Sequence, residues 1–294
     1  MAIHIDGKTK LCALLGNPVE HTLSPAIHNF LADQLGIPLV YVAFGVERAE
    51  LEDAVRGGLA LGILGFNVTV PFKQSVMSCL TGLEDGARAI GAVNTLVRSD
   101  QGFCGYNTDW IGLKRLLFHA DISLQGRTVV LLGAGGEAWA AAYVCGCEKA
   151  EKLYILNRTR EKAVVLAERM HTQFPSMECC ALEMNEWTKM EESGLIALQA
   201  TSVGLWPHTD CAPIEDVKFY QRLDAAVDMI YKPEETLFMR LAADAGAKTA
   251  NGLNMLLYQA VAAFELWVGR KVEPSVVSRA KDMLKQEIGF QRNE

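Results

Sequence analysis

No apolar run in this chain approaches the ~20 residues that a membrane-spanning helix requires. The nearest candidate at the start, Leu11-Cys12-Ala13-Leu14-Leu15, is too short for the core of an export signal, and no basic head leads into it. The expected location is therefore the cytoplasm. Paired cysteine spacing is also missing. Eight cysteines stand at 12, 79, 104, 145, 147, 179, 180 and 211 without one CxxC unit, which removes the usual zinc and disulfide frameworks. They are expected to be reduced, mostly buried thiols, with no metal site. Positive charge is scarce: 28 lysines and arginines face 35 acids, for a net charge of -7. The basic residues form no long run, so nucleic acid and anionic membrane are disfavoured and a small-molecule partner is favoured. Low-complexity sequence and internal repeats are absent, which leaves an ordinary globular chain.

At 294 residues, two domains are the natural expectation. Apolar runs alternate with helical patterns from the start: Leu11 to Leu15, a helix from Ser24, Leu39 to Phe44, a helix from Ala49, then Ile63 to Val70. Ser24-Pro25 reads as an N-cap followed by a first-turn proline, with Ile27, Phe30, Leu31 and Leu35 on the inward face. Ser99-Asp100-Gln101-Gly102 reads as a turn between strands at Asn94 to Arg98 and Phe103 to Gly105, which makes the first sheet mixed. A second series starts at Thr128 to Leu132 and continues with strands at Lys152 to Leu156, Leu195 to Ala200 and Ala225 to Ile230, the makings of a doubly wound parallel sheet. Helical patterns from Leu253 to Val268 and from Pro274 to Ile288 close the chain and are expected to return to the first domain.

Gly133, Gly135 and Ala138 satisfy G-x-G-x-x-[GA] between a strand and a helix. Glycines there let backbone amides approach a pyrophosphate at a helix N-terminus, where unpaired N–H groups and the dipole favour negative charge. A plain strand-to-helix turn would account for the glycines alone; their position at the head of a βαβ series favours a dinucleotide. The following strand should end in an acid if the cofactor were NAD. Instead it ends Asn157-Arg158-Thr159-Arg160, with Lys162 close behind, a basic cluster suited to the 2′-phosphate of NADP.

Three polar clusters interrupt buried-looking segments of the first domain: Thr22 to Pro25, Asn67 to Lys73 and Gly105 to Asp109. Asn67 and Thr69 alternate on one strand face and Lys73 follows Pro71, so one crevice at the strand ends can hold all three clusters. Reduction of a ketone needs a group that polarises the carbonyl and supplies a proton, and a lysine paired with a carboxylate does both. Lys73 and Asp109 suit that role. Taken singly, Lys73 reads as a surface lysine and Asp109 as the N-cap of a helix from Trp110 to Phe118, and spacing does not pair them.

The segments Gly16-Asn17-Pro18, His21 to Pro25 with His28-Asn29, Asn67 to Lys73, Gly91 to Thr95, Gly105 to Asp109, Gly133 to Gly136, Asn157-Arg158-Thr159, Asp228 to Tyr231 and Gly252 through Met255 to Gln259 resemble the shikimate dehydrogenase family, in the same order. The resemblance implies an NADP-linked, reversible reduction of 3-dehydroshikimate to shikimate. It gives Lys73 and Asp109 as the catalytic pair, Thr22, Ser24 and Thr69 as holders of the substrate carboxylate, and Asn67, Asn94, Asp109 and Gln259 on ring hydroxyls with Tyr231 near them. On the nucleotide side it carries over Ala134, Gly135, Gly136, Asn157, Arg158, Thr159, Thr201, Gly252 and Met255, which join Gly133 of the glycine motif. It implies an α/β chain of two domains: a mixed-sheet substrate domain at 1–108 completed by C-terminal helices 252–294, and a Rossmann-type parallel-sheet NADP domain at 109–251, as a monomer or a homodimer.

Three departures from the family pattern stand out. Thr22 stands in place of serine, which opens a quinate-type substrate as an alternative. Gln199 leads a triplet usually led by asparagine. Glu137 and Trp139 replace a small and a basic residue in the glycine turn. A non-catalytic sensor of the same acids is a further alternative, against which the retention of both Lys73 and Asp109 counts.

Overall fold

Apolar runs become the inner strands of two sheets, and the polar clusters fall where those strands stop. The computed structural model describes residues 5–290. One compact unit runs to Ile111 and resumes at Leu257; the other is Gly112–Leu256. The first contains β1 (Lys10–Gly16), α1 (Ser24–Leu35), β2 (Leu39–Gly45), α2 (Leu51–Ala60), β3 (Gly65–Val68), β4 (Gly82–Leu83), α3 (Asp85–Ile90), β5 (Thr95–Ser99) and β6 (Gly102–Tyr106). Its sheet has the order β2-β1-β3-β5-β6-β4. β1 is parallel to β2 and β3, whereas β5 runs antiparallel to β3 and β6, so the sheet is mixed as the hairpin signal predicts. β3 stops at Val68 rather than Val70, although the chain stays tethered beside β1 through Thr69 N to Leu15 O and Asn17 N to Val70 O.

The start of α1 corrects one expectation. Leu23 occupies the capping position, and no side chain caps the helix. Ser24 is instead the first helical residue, its backbone N–H held by Thr22 Oγ1 at 3.2 Å, so the hydroxyl of Ser24 is not used in capping the helix. Ile27 and Leu31 are buried as expected, and so is His28 between them.

The second unit is entered through α4 (Asp109–His119) and contains β7 (Thr128–Leu132), α5 (Gly136–Cys147), β8 (Lys152–Asn157), α6 (Arg160–Gln173), β9 (Glu178–Glu183), β10 (Leu195–Gln199), α7 (Val217–Tyr220), β11 (Leu223–Asp228), α8 (Leu237–Asp244) and β12 (Lys248–Ala250). All its strands are parallel, in the order β12-β11-β10-β7-β8-β9. The first strand in sequence, β7, lies between the second and the fourth, which makes β7 and β10 the switch point where the winding reverses. Register aligns Leu132, Gln199 and Asp228 side by side at the C-terminal strand ends.

Two long helices follow, α9 (Leu253–Val268) and α10 (Pro274–Phe290). From Leu257 onward they belong to the first unit. Trp267 on α9 donates its indole N–H to Leu96 O at 2.9 Å. It can do so because residue 65 is glycine, where a Cβ would lie 2.2 Å from the indole nitrogen.

The cysteines also require correction. All eight are free, but only Cys12 and Cys145 are buried, the other six being half-covered. Cys179 and Cys180 lie on β9, an edge strand, where one side of the sheet has no neighbour. Among the described residues no cluster of three or more His, Cys, Asp or Glu side chains could hold a metal ion, and no helix is long and apolar enough to cross a membrane.

Candidate active site

In the first unit the ends of β3, β5 and β6 converge on an ion pair. The chain leaves β3, turns at Pro71 and brings Lys73 beside the strand that follows, where Val93 N donates to Lys73 O at 2.7 Å. Lys73 Nζ then reaches Asp109 Oδ2 at 2.8 Å, with the two side chains only 19% and 11% exposed. Asp109 is the first residue of α4 rather than its cap. Asn107 Oδ1 takes the Asp109 N–H at 3.0 Å, and the carboxylate is turned towards Lys73 and Asn94. Partial burial makes the pair depend on its neighbours, because a charge removed from water needs both a counter-ion and hydrogen bonds.

Asn94 supplies those bonds. Its Nδ2 donates to Asp109 Oδ1 at 2.8 Å and to Thr108 Oγ1 at 3.0 Å, with Gln259 Oε1 at 3.5 Å. Its Oδ1 accepts from Thr108 N at 2.7 Å and Thr95 Oγ1 at 2.9 Å. Asn67 lies directly behind, donating from Nδ2 to Asn94 O and Thr95 Oγ1. The Asn67 carbonyl accepts from the Tyr41 hydroxyl at 2.8 Å and faces His28 Nε2 at 3.1 Å. Both hydrogens and both lone pairs of that amide are therefore engaged within the protein.

Two runs of contacts result. Thr22 Oγ1 donates to Ser24 Oγ at 3.2 Å, and a second run leads from the Tyr41 hydroxyl through Asn67 and Asn94 to Asp109 and Lys73. Thr69 stands apart from both, with its methyl packed where a Cβ on Gly16 would fall. Tyr41, which joins this network, was not singled out by sequence reasoning, and its neighbours Thr95 and Thr108 stood only inside motifs; all three are fully or almost fully buried. His28 likewise appeared only as part of a motif. Burial pushes its pKa down to about 3 despite the bond to Asn67, so the ring is neutral and serves as an Nε2–H donor stacked on Tyr41, centroids 4.3 Å apart. Asn29 next to it mimics a strand partner, exchanging two hydrogen bonds with the Tyr41 backbone at 2.8 and 2.9 Å.

In the second unit β7 runs into the glycine turn. Gly133 has φ 111° and packs on the loop after β10, where a Cβ would meet Thr201 Cγ2 at 3.0 Å and Ala200 O at 3.1 Å. That left-handed conformation suits only glycine. Cβ positions at Gly135 and Gly136 face open space, so their amides at the start of α5 can be approached closely, which fits a pyrophosphate. β8 ends at Asn157, whose Nδ2 holds Thr159 O at 2.8 Å, leaving Arg158, Thr159, Arg160 and Lys162 exposed. No acid stands at this strand end, and the basic groups fit a 2′-phosphate. Ala134 is buried below the turn.

Gln199 is fully buried and organises the next loop, accepting from Thr201 N at 2.5 Å and donating to Val203 O at 3.1 Å. Thr201 Oγ1 takes Val203 N in turn. The residue that departs from the family pattern thus serves as an internal brace. At the end of β11 the buried Asp228 holds a third loop, accepting from Ile230 N at 2.9 Å and Thr236 Oγ1 at 2.6 Å. Tyr231 lies inside that loop. Gly252, which lacks room for a Cβ at 2.0 Å from Met229 O, donates its N–H to Ile230 O, and Met255 is buried nearby in sequence.

An open glycine turn in one unit and a largely buried lysine–carboxylate pair in the other are the two features to set beside known proteins. Residues 14–96 match the family model of the shikimate dehydrogenase substrate binding domain, and 252–280 that of the shikimate 5′-dehydrogenase C-terminal domain. A shikimate dehydrogenase (NADP+) of Caldanaerobacter subterraneus subsp. tengcongensis is 42% identical over 265 residues, covering 90% of this chain and 94% of its own. The chain belongs to the shikimate dehydrogenase family. A solved shikimate dehydrogenase in complex with NADP+ superposes with a TM-score of 0.89 at 35% identity, covering 97% of this chain and 98% of its own. Another, from Listeria monocytogenes with shikimate and NAD, gives 0.90 at 31% identity, with coverages of 97% and 99%.

Within this dehydrogenase framework Asp228 has a measurable signature. Burial raises its pKa from 3.8 to about 6, against the two hydrogen bonds, and Glu137 adds to the rise. The folded state therefore keeps a proton that the unfolded chain has lost. Stability contributed by this proton is full below the ordinary carboxylate value and is lost as pH rises through the folded one. Urea unfolding across that interval is expected to show a falling component that Asp228→Asn removes; an unaltered slope in the variant contradicts the assignment.

Proposed function

We propose that this chain catalyses the NADP-linked, reversible interconversion of 3-dehydroshikimate and shikimate, with Lys73 and Asp109 as its catalytic pair. The observation that carries the reading is the 2.8 Å contact of Lys73 and Asp109 within a polar network. NADPH, when bound, supplies the hydride. Lys73 donates a hydrogen bond to the ketone oxygen and gives up its Nζ proton as negative charge develops there, then regains a proton from solvent. Asp109 keeps the ammonium in place and balances its charge, and Asn94 fixes the carboxylate. In the reverse direction the neutral amine accepts the hydroxyl proton.

Thr22 and Ser24, already paired through their hydroxyls, suit a carboxylate at the N-terminus of α1, with Thr69 as a third donor. Asn94, Asp109 and Gln259 offer hydrogen-bonding groups to ring hydroxyls, with Tyr231 as a further contact. Asn67 differs from these, because a substrate hydroxyl reaching its amide must replace a bond already made to Tyr41, His28, Asn94 or Thr95. On the nucleotide side, Gly133 to Gly136 take the pyrophosphate, Asn157, Arg158, Thr159 and Lys162 the 2′-phosphate end, and Thr201, Gly252 and Met255 the remaining contacts. The Thr22 methyl supports one second reading, a preference for quinate, whose extra hydroxyl adjoins the carboxylate.

Purified protein given shikimate or quinate with either oxidised cofactor separates these readings by absorbance of the reduced nicotinamide. Turnover of shikimate with NADP+ above all other pairs is expected, whereas dominant quinate turnover supports the second reading and binding without turnover supports a sensor. Arg158→Ala should reduce the preference for NADP+ by one to two decades, about the worth of a charge-assisted contact of ~1.5–3 kcal/mol. Equal efficiency with both cofactors in the wild type contradicts the basic-cluster assignment. Lys73→Ala is expected to lower kcat at least ~100-fold while shikimate still binds within several-fold; near-normal kcat removes Lys73 from the chemistry.

A further inference from the structure

Glu137 is an exposed acid in the first turn of α5, directly after the glycines whose amides face the cofactor. In the observed strand order the adenosine ribose belongs at the end of β8, on one side of the switch point. The nicotinamide half must then extend to the other side, over the ends of β10 and β11. Glu137 stands within electrostatic reach of that second side. Its carboxylate acts electrostatically on Asp228, at the end of β11, and on Tyr231, three residues further on, raising both after the larger effect of burial. Leu132, which leads into the glycine turn, is in register with Gln199, and Gln199 with Asp228. The α5 start and the β11 end therefore stand only one strand apart.

The two redox forms of the cofactor share their phosphates and differ at the ring. The oxidised nicotinamide is a cation, and the reduced ring, having gained a hydride, is neutral. A carboxylate near the phosphates weakens both forms alike, whereas a carboxylate near the ring weakens the reduced form more. Resting on the NADP reading above, we propose that Glu137 is a specificity-determining residue that favours the oxidised over the reduced cofactor. It thereby biases the bound enzyme towards the oxidised-nicotinamide side of the reaction without altering the overall equilibrium, since any gain in one binding step is offset in the other.

The test is the affinity of the full-length protein for NADP+ and for NADPH, by fluorescence titration or calorimetry, in the wild type, Glu137→Gln and Glu137→Ala. Glutamine keeps the shape and removes the charge, so agreement between the variants isolates electrostatics. NADPH is expected to tighten more than NADP+, so that the Kd for NADPH divided by that for NADP+ falls roughly three- to tenfold at low salt. The change should shrink as salt rises. An unmoved quotient overturns the proposal, both when the two forms tighten together, which places the carboxylate on the phosphates, and when neither changes. Wild-type protein that binds neither form overturns the NADP reading itself, a failure distinct from an unmoved quotient with both forms bound.

Discussion

Asn94 is the junction on which the rest of the first unit's polar architecture depends. Its backbone carbonyl accepts from Val68 N and Asn67 Nδ2 while its own N–H bonds Tyr106 O, so it joins the ends of β3 and β6. Its side chain holds Asp109 and the Thr108 backbone. A carboxamide donates to a carboxylate from one arm and accepts from a backbone amide at the other, without changing charge with pH. Aspartate there would repel Asp109, and an apolar residue would leave Thr108 N unpaired beside an ion pair. Through Asn94, the position of the Lys73 ammonium is set by backbone pairing in a mixed sheet rather than by a mobile loop.

The same economy recurs in the second unit, where each strand end fixes the loop that follows it. Asn157 holds Thr159, Gln199 holds Thr201 and Val203, and Asp228 holds Ile230 and Thr236. Two carboxamides and one carboxylate thus do one task, shaping the crevice at the C-terminal edge of a parallel sheet. Asp228 does so at an electrostatic cost that asparagine or glutamine avoids, because burial opposes its charge. Glu137 adds to that cost electrostatically, while Arg158, Arg160 and Lys162 are exposed on the β8 side.

Much of this was legible in the sequence because the inner strands carry continuous apolar runs and the glycine turn carries its own signature. β7, β8, β10 and β11 emerge within two residues of the expected limits. β9, Glu-Cys-Cys-Ala-Leu-Glu, was not anticipated because this half-covered edge strand offers only four apolar residues between two glutamates. β4 and β12 are two and three residues long, below what periodicity can resolve. In the site, Lys73 and Asp109 were recognisable as types but not as a pair, since their contact spans 36 positions and depends on sheet order. Tyr41 and His28 were hidden for another reason: each lies where the pattern demands core. Only the three-dimensional packing reveals that their polar atoms meet on Asn67.

The central claim is that Lys73 and Asp109 act as one unit, the carboxylate mattering because it serves the ammonium. A double-mutant cycle on kcat with shikimate, comparing Lys73→Ala, Asp109→Asn and the double variant, measures that coupling directly. The account predicts that the double variant loses about as much as the worse single variant, because either change already disables the pair. Losses that multiply would show two residues acting independently and contradict it.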